Sequence, residues 1–249
     1  MKEISKITAS FSPIKLAEMD NVKLMSRSDT KFAFKISKLP ELLNQMIPFY
    51  RVLEINGKLI HDYKSLYFDT DDRKFYLDHH NGRVNRNKVR FREYVGSDLT
   101  FLEIKRKNNK GKTIKKRIKV DSINDDLSVK QKEYIHSIIG SNIILNSKQW
   151  INFSRITFVH KVHKERLTID INLNFKEKDR RGDLNQIAIG EVKQERMSRL
   201  SDFMRIAKDL HILPIRISKY CMSTLELNPE LKQNRFKEKT LFLTKLKNL

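Results

Sequence analysis

The chain has 249 residues, 39% of them hydrophobic, and 51 Lys plus Arg against 30 Asp plus Glu give it a formal net charge of +21. Its length and apolar content suit a folded soluble protein, and no run approaches the roughly 20 apolar residues that a membrane-spanning helix needs. A single cysteine, Cys221, excludes an internal disulfide framework and a multi-cysteine zinc site, while the excess of cations points to a polyanionic partner without saying which.

No Gly/Ser-rich or Pro-rich linker and no repeat interrupts the sequence, so one domain over 1–249 is expected. The first residues, Met1-Lys2-Glu3-Ile4-Ser5-Lys6, lack the apolar stretch of a secretory signal, and a cytoplasmic location is expected. Ile4, Ile7, Phe11, Ile14 and Leu16 predict a short amphipathic helix interrupted by Pro13. Period-two alternation then predicts strands over 27–36, 50–55 and 58–68, with a helix over 38–47 behind the cap Ser37. A helix over 71–80 precedes strands over 86–95, 99–107 and 112–120, the last two joined by a hairpin turn at Asn108-Asn109-Lys110-Gly111. Beyond a helix over 128–139 capped by Ser128, strands are expected over 152–162, 164–175 and 185–194, a helix over 198–210 behind Ser198, a strand over 213–222 and a basic helix from about Glu230. Short connections favour antiparallel pairing.

Successive side chains of a strand point to opposite faces, so parity sorts each strand into two sets. Lys88, Arg90, Arg92 and Tyr94 share one face. Phe101, Glu103, Lys105 and Lys107 share another, opposite Leu102 and Ile104, and Thr113, Lys115, Arg117 and Lys119 a third. In 164–175, Lys164, Arg166, Thr168, Asp170, Asn172 and Asn174 oppose Leu167, Ile169, Ile171, Leu173 and Phe175. Arg27, Asp29, Lys31 and Lys35 align with Ala33, against Phe32, Phe34 and Ile36. Alternation by itself fits a sheet whose charged face meets water. The frequency of Arg, whose planar fork suits phosphate, and the carboxylates Glu103 and Glu191 isolated among cations favour a barrel with its charged face turned inward.

Ordered blocks now carry a resemblance: Phe11-Ser12-Pro13-Ile14, Arg27-Ser28-Asp29-Thr30-Lys31-Phe32, Tyr67-Phe68-Asp69-Thr70, Lys88-Val89-Arg90-Phe91-Arg92-Glu93-Tyr94, Phe101-Leu102-Glu103-Ile104-Lys105-Arg106-Lys107, Arg155 with Arg166-Leu167-Thr168-Ile169-Asp170, Glu191-Val192-Lys193 and Ser218-Lys219-Tyr220-Cys221. They resemble the polyphosphate polymerase domain of the vacuolar transporter chaperone (VTC) proteins, in the triphosphate tunnel metalloenzyme (CYTH-like) superfamily. The resemblance implies an α+β fold, a closed antiparallel β-barrel of eight strands with helices packed on the outside. It also implies binding of ATP and inorganic polyphosphate or triphosphate with Mn²⁺ or Mg²⁺, and transfer of the terminal phosphoryl group of ATP to a growing polyphosphate chain. By motif, Lys31, Arg90, Arg92, Lys105, Arg155, Arg166 and Lys219 match the catalytic phosphate ligands, Lys193 and Ser218 further phosphate contacts, Glu191 the metal ligand and Glu103 a second carboxylate. The regulatory domain and membrane segments of the larger eukaryotic proteins have no counterpart, which suits a bacterial protein.

Two positions conflict with strict parity: Glu191 falls on the face of Ile187 and Ile189, and Lys219 on that of Ile215 and Ile217. Either a bulge at Gly190 resets the register or the carboxylate lies outside the tunnel. His160 and His163, at i and i+3 of a strand, fall on opposite faces and make no metal pair. Among Asp69, Asp71 and Asp72 a strand-to-helix turn with a capping Asp is expected. Trp150 is assigned to the outer core and Cys221 to packing. An inorganic triphosphatase is the second enzymatic reading. A noncatalytic polyanion- or RNA-binding module is the third, although neither a nucleic-acid motif nor an aromatic face for base stacking is present.

Overall fold

The computed structural model describes residues 1–22, 28–109, 113–195 and 201–248. Eight strands follow one another along a single hydrogen-bonded path: β2 (Ser28–Lys35), β11 (Ile187–Gln194), β9 (Glu165–Glu177), β8 (Asn146–His160), β4 (Ile60–Asp69), β5 (Arg86–Tyr94), β6 (Leu99–Lys107) and β7 (Thr113–Val120). Every ladder on that path is antiparallel. Beside it, β1 (Pro13–Lys15) runs parallel to β3 (Tyr50–Glu54), β3 extends the far end of β8, and β10 (Arg180–Asp183) returns along β9.

No ladder joins β2 to β7 among the described residues, which form a curled antiparallel sheet where a closed barrel was expected. The reason lies at the second edge of β2, where Phe32 forms a bridge with Pro214 and the Ile215 amide donates to the Lys31 carbonyl at 2.8 Å. A strand has two edges; β11 holds one and this segment the other. The strand predicted over 213–222 is thus reduced to one bridge, after which Ser218 caps helix α6 (Lys219–Leu227) by accepting from the Cys221 amide at 3.4 Å. Alternation of Ile215 and Ile217 mimics a strand, but the serine begins a helix.

On the outer face, α1 (Lys2–Thr8), α2 (Leu39–Met46) and α5 (Asp202–Asp209) cover Phe32, Phe34, Ile156, Phe158, Leu167 and Ile169. A second outer cluster packs Phe75 of α3 (Lys74–His80) and Ile135 of α4 (Val129–Ile139) on Phe68, Val89, Phe91, Leu102 and Ile104, with Trp150 at its margin. Asp69 caps α3, its carboxylate accepting from the amides of Phe75 at 2.8 Å and Tyr76 at 3.0 Å. Ser128 and Gln131 form a reciprocal capping box on α4. Lys38, not Ser37, precedes α2 without a side-chain cap; Ser201 caps α5, while the expected cap Ser198, the strand residue Arg27 and the turn residues Lys110 and Gly111 lie outside the described residues. The N-terminal helix ends at Thr8, and Pro13 opens β1. The basic helix near the C-terminus is α7 (Lys237–Asn248).

Neither alternative raised for Glu191 holds, and the bulge is on β9, not at Gly190. Pairing of β11 runs without a shift from Ile187 to Gln194, and a Cβ on Gly190 would come within 3.3 Å of the Phe203 ring, so the glycine makes room for α5. On β9, Asn172 takes φ 53° and the β8–β9 register shifts beside it, a left-handed extra residue that turns the next side chains over. Leu173 and Phe175, expected outside, therefore point inward and join Ile187 and Ile189 against Tyr220, Met222 and Leu225 of α6. This helix fills one end of the sheet's interior rather than its outer surface. Among the described residues no helix is long and apolar enough to cross a membrane.

Candidate functional site

The concave face encloses a cavity of about 680 Å³ to which every strand of the eight-strand path contributes. Twelve of its described lining residues are Lys or Arg and four are Asp or Glu. It opens beside the exposed turns at Asn56, Gly96 and Ser97 and is floored by Ile189, Ile217 and Tyr220. The parity conflict at Glu191 dissolves here: Ile187, Ile189, Glu191 and Lys193 all face inward, the first two in the apolar floor and the last two in the charged channel above it. Lys219 meets no conflict either, because it opens a helix.

Register arranges the charges in rows. Lys88, Lys105 and Lys115 face one another across β5, β6 and β7, and Tyr67, Arg90, Glu103 and Arg117 form the next row across β4 to β7. Directly opposed side chains lie about 4.5–5.5 Å apart at Cβ, and two like charges about 6 Å apart repel by roughly 3 kcal/mol at an effective dielectric near 20. Burying a phenylalanine contributes only about 1.5–3 kcal/mol. Uncompensated, this lining would offset much of the core.

Three carboxylates prevent that, each holding two cations. Asp170 accepts from Arg155 through Nε at 2.6 Å and Nη2 at 2.8 Å and pairs with Lys219 Nζ at 2.5 Å. Glu103 accepts from Arg90 through Nε at 2.9 Å and Nη2 at 2.6 Å, and pairs with Lys115. Glu191 pairs with Lys31 and, at 2.9 Å, with Lys193. Burial alone would raise all three carboxyls. Arg155 and Lys219 instead hold Asp170 below its ordinary range, Arg90, Arg92 and Lys115 hold Glu103 there, and Lys193 and Lys31 hold Glu191 well below it. Each clamp keeps one net positive charge.

Arg92, Lys88 and Lys105 pair with no carboxylate of the three clamps. Arg92 bonds to Ser65 Oγ at 3.2 Å, and its guanidinium carbon stands 5.3 Å from the Tyr63 ring and 5.5 Å from the Phe153 ring. Those rings stack 5.2 Å apart and supply π-faces where a carboxylate is missing. Lys88 donates to Ser218 Oγ at 2.8 Å, so Ser218 both caps α6 and holds a channel lysine. Lys105 reaches solvent within the channel, yet the ring of protein around it, and then the Arg90 charge, keep its ammonium well below the ordinary lysine value. Burial and then Arg90 bring Arg92 down to about 10. Lys193 falls to about 8 through burial even with Glu191 beside it; one carboxylate serving two lysines stays ionised while Lys193 yields its proton early.

All the residues expected at the site, namely Lys31, Arg90, Arg92, Glu103, Lys105, Arg155, Arg166, Glu191, Lys193, Ser218 and Lys219, line this one cavity. Lys88, Lys115, Arg117, Thr168 and Tyr67 join them; parity had sorted the first four onto charged faces without assigning them a site. Asp170, which holds two channel cations, was sorted the same way. His160 and His163 are corrected: β8 ends at His160, and the turn stacks the two rings 4.6 Å apart instead of opposing them. Both nitrogens of His160 are engaged, Nδ1 by the amides of Val162 and His163 and Nε2 by Asp202 at 3.0 Å. Cys221 is buried under the floor, with Sγ 3.2 Å from His79 Nδ1. Among the described residues no three His, Cys, Asp or Glu side chains gather closely enough to hold a metal ion by themselves.

Among solved structures, HpAC1 from Hippeastrum, described as having a dominant triphosphatase activity, is similar at 15% identity and a TM-score of 0.48, over 80% of this chain and 96% of that one. The PH1819 protein of Pyrococcus horikoshii OT3 is 11% identical with a TM-score of 0.44, over 80% and 99% of the two chains. A conserved hypothetical protein of Pyrococcus furiosus is 13% identical with a TM-score of 0.41, over 78% and 99%. No curated protein matches the sequence. The family model described as the VTC domain matches residues 26–228, a span that includes every cation and carboxylate of the three clamps, and the chain therefore belongs to the VTC-domain family.

Proposed function

We propose that the channel binds the triphosphate of ATP and the end of a polyphosphate chain and transfers the terminal phosphoryl group from one to the other. The observation that carries this is the convergence of Lys and Arg side chains from seven of the eight strands of the path on one cavity, with each carboxylate clamp still positive. Phosphoryl transfer asks a protein chiefly to position reactants and to stabilise charge on the nonbridging oxygens. In the step, the bond from the γ-phosphorus to the ADP oxygen breaks with its electron pair leaving on ADP. A terminal oxygen of the chain forms the new P–O bond. That oxygen is already anionic, so no protein base is required.

Glu191 suits a hard divalent cation such as Mn²⁺ or Mg²⁺, because it is an ionised carboxylate on the channel wall whose partners are flexible lysines able to swing onto phosphate. When bound, the cation would neutralise phosphate charge. Glu103, 1% exposed and enclosed by Arg90 and Lys115, orients those two cations in our assignment. Lys31, Arg90, Arg92, Lys105, Arg155, Arg166, Lys193 and Lys219 bind phosphate oxygens, with Ser218 steadying Lys88. Lys105 favours a second reading: burial and the neighbouring Arg90 charge hold its ammonium below the ordinary lysine value, and a channel lysine of that kind could assist water as the acceptor in place of the chain end, which would make the same site a triphosphatase.

Incubation of purified protein with ATP and Mn²⁺ or Mg²⁺ tests the proposal. Long phosphate chains and ADP are expected from the native protein and neither from Glu191→Gln or Arg90→Ala. Orthophosphate without chains would replace the polymerase by the triphosphatase. Salt-sensitive RNA binding without any phosphoryl transfer would replace both by a binding module.

A pH effect follows from Lys193. Its ammonium, normally lost near 10.5, is lost near 8 in the folded protein; the group thus weighs against folding below about pH 8, and the penalty fades as pH rises toward 10.5. Bound phosphate favours the protonated form. Tripolyphosphate binding at pH 8 to 9 is therefore expected to take up protons and to weaken as pH rises. Calorimetry in two buffers of different ionisation enthalpy measures this, and identical heats would refute it.

A further inference from the structure

Lys31, Glu191, Thr168 and Thr157 form one row across β2, β11, β9 and β8. Thr168 is 3% exposed and lines the channel, and its hydroxyl finds no hydrogen-bond partner in the protein. Its direct neighbour across the β9–β11 ladder is Glu191, whose two oxygens go to Lys31 and Lys193 instead. A buried hydroxyl without a partner costs about 1–3 kcal/mol. Valine would fill the same volume in a strand without that cost. A ligand in the channel would supply the missing partner of this hydroxyl.

The chemistry of that ligand follows from the pair. A carboxylate oxygen beside a neutral hydroxyl oxygen repels an anion but matches the oxygen donors that hard divalent cations prefer. A neutral second donor also adds coordination without adding negative charge opposite the phosphates. We propose that Thr168 is a second protein ligand, with Glu191, for the divalent cation of the channel, phosphate oxygens and water completing its shell. This rests on the phosphoryl-transfer reading of the site.

The test is binding of Mn²⁺, followed by the resonance of the free ion, with and without the non-hydrolysable imidotriphosphate, in native protein, Thr168→Val, Thr168→Ser and Glu191→Gln. Thr168→Val is expected to weaken Mn²⁺ binding by roughly 10–100-fold, and Thr168→Ser to retain it. Affinity for imidotriphosphate without metal should stay within about twofold of native, and the ligand-free melting temperature of Thr168→Val should not fall. Native Mn²⁺ affinity in Thr168→Val overturns the assignment. So does an equal loss of metal-free imidotriphosphate binding, which would place the hydroxyl on phosphate. Mn²⁺ held through both residues by a protein that binds no imidotriphosphate would keep this site and overturn the phosphoryl-transfer reading instead.

Discussion

Replacing Asp170 by alanine is expected to destabilise the protein by about 3–5 kcal/mol, the usual consequence of leaving buried charge uncompensated. Asp170 is 2% exposed and holds both Arg155 and Lys219. Its loss strands two cations that come from different elements, β8 and α6, and so loosens the contact between the sheet and the helix that floors the channel. In a chain of this size each kcal/mol lowers the melting temperature by about 2–4 °C, and thermal denaturation reads the effect directly. Tripolyphosphate should restore part of the loss, because an anion in the channel replaces the missing carboxylate. The two cations hold the Asp170 carboxyl below its ordinary 3.8, so the clamp contributes fully above about that pH and is lost only in stronger acid. A melting temperature within 2 °C of native would mean that Arg155 and Lys219 find other partners and that the clamp is not what holds them.

Arg92→Met is expected to do the opposite: to stabilise the ligand-free protein while lowering turnover by about 10²–10³-fold, the scale of removing one preorganised charged donor. Arg92 is 7% exposed, bonds to a serine rather than a carboxylate, and is repelled by Arg90 and Arg155. Methionine keeps its length and its contact with the Tyr63 and Phe153 rings and removes the repulsion. A gain of about 1 kcal/mol would appear as roughly 2–4 °C. Melting temperature and turnover measured on the same preparation decide it. A variant that melts lower yet transfers phosphoryl groups normally would show that this arginine serves packing alone.

The contrast between these residues marks the limit of what parity reveals. Lys88, Arg90 and Arg92 could be sorted onto one face, as could Arg166, Thr168 and Asp170, because side-chain period in a strand is a local property of the backbone. Parity could not tell that Asp170 serves two cations while Arg92 has a serine and two aromatic rings. Those partners arrive from strands and a helix far along the chain. It also failed wherever the chain left strict alternation. Asn172 adopts a left-handed conformation and inverts Leu173 and Phe175, which an asparagine among alternating residues does not announce. The segment 213–222 alternates like a strand, yet Ser218 caps a helix there, and packing against Tyr67, Phe153 and Ile189 decides between the two.

By itself, the order of residues determined the alternating faces, the caps at Ser128 and Asp69, the clustering of charge and the membership that the matched motifs express, because each depends on neighbours within a few positions. The tertiary structure alone decided that no ladder joins β2 to β7 among the described residues, that the interior of the sheet is apolar at one end and cationic at the other, and which carboxylate neutralises which pair of cations. Several of these contacts join residues 15 to more than 100 positions apart, as Arg155 with Asp170 and Lys31 with Glu191. Coulomb energy in a partly buried channel depends on distance and burial, and neither is set until the sheet has curled.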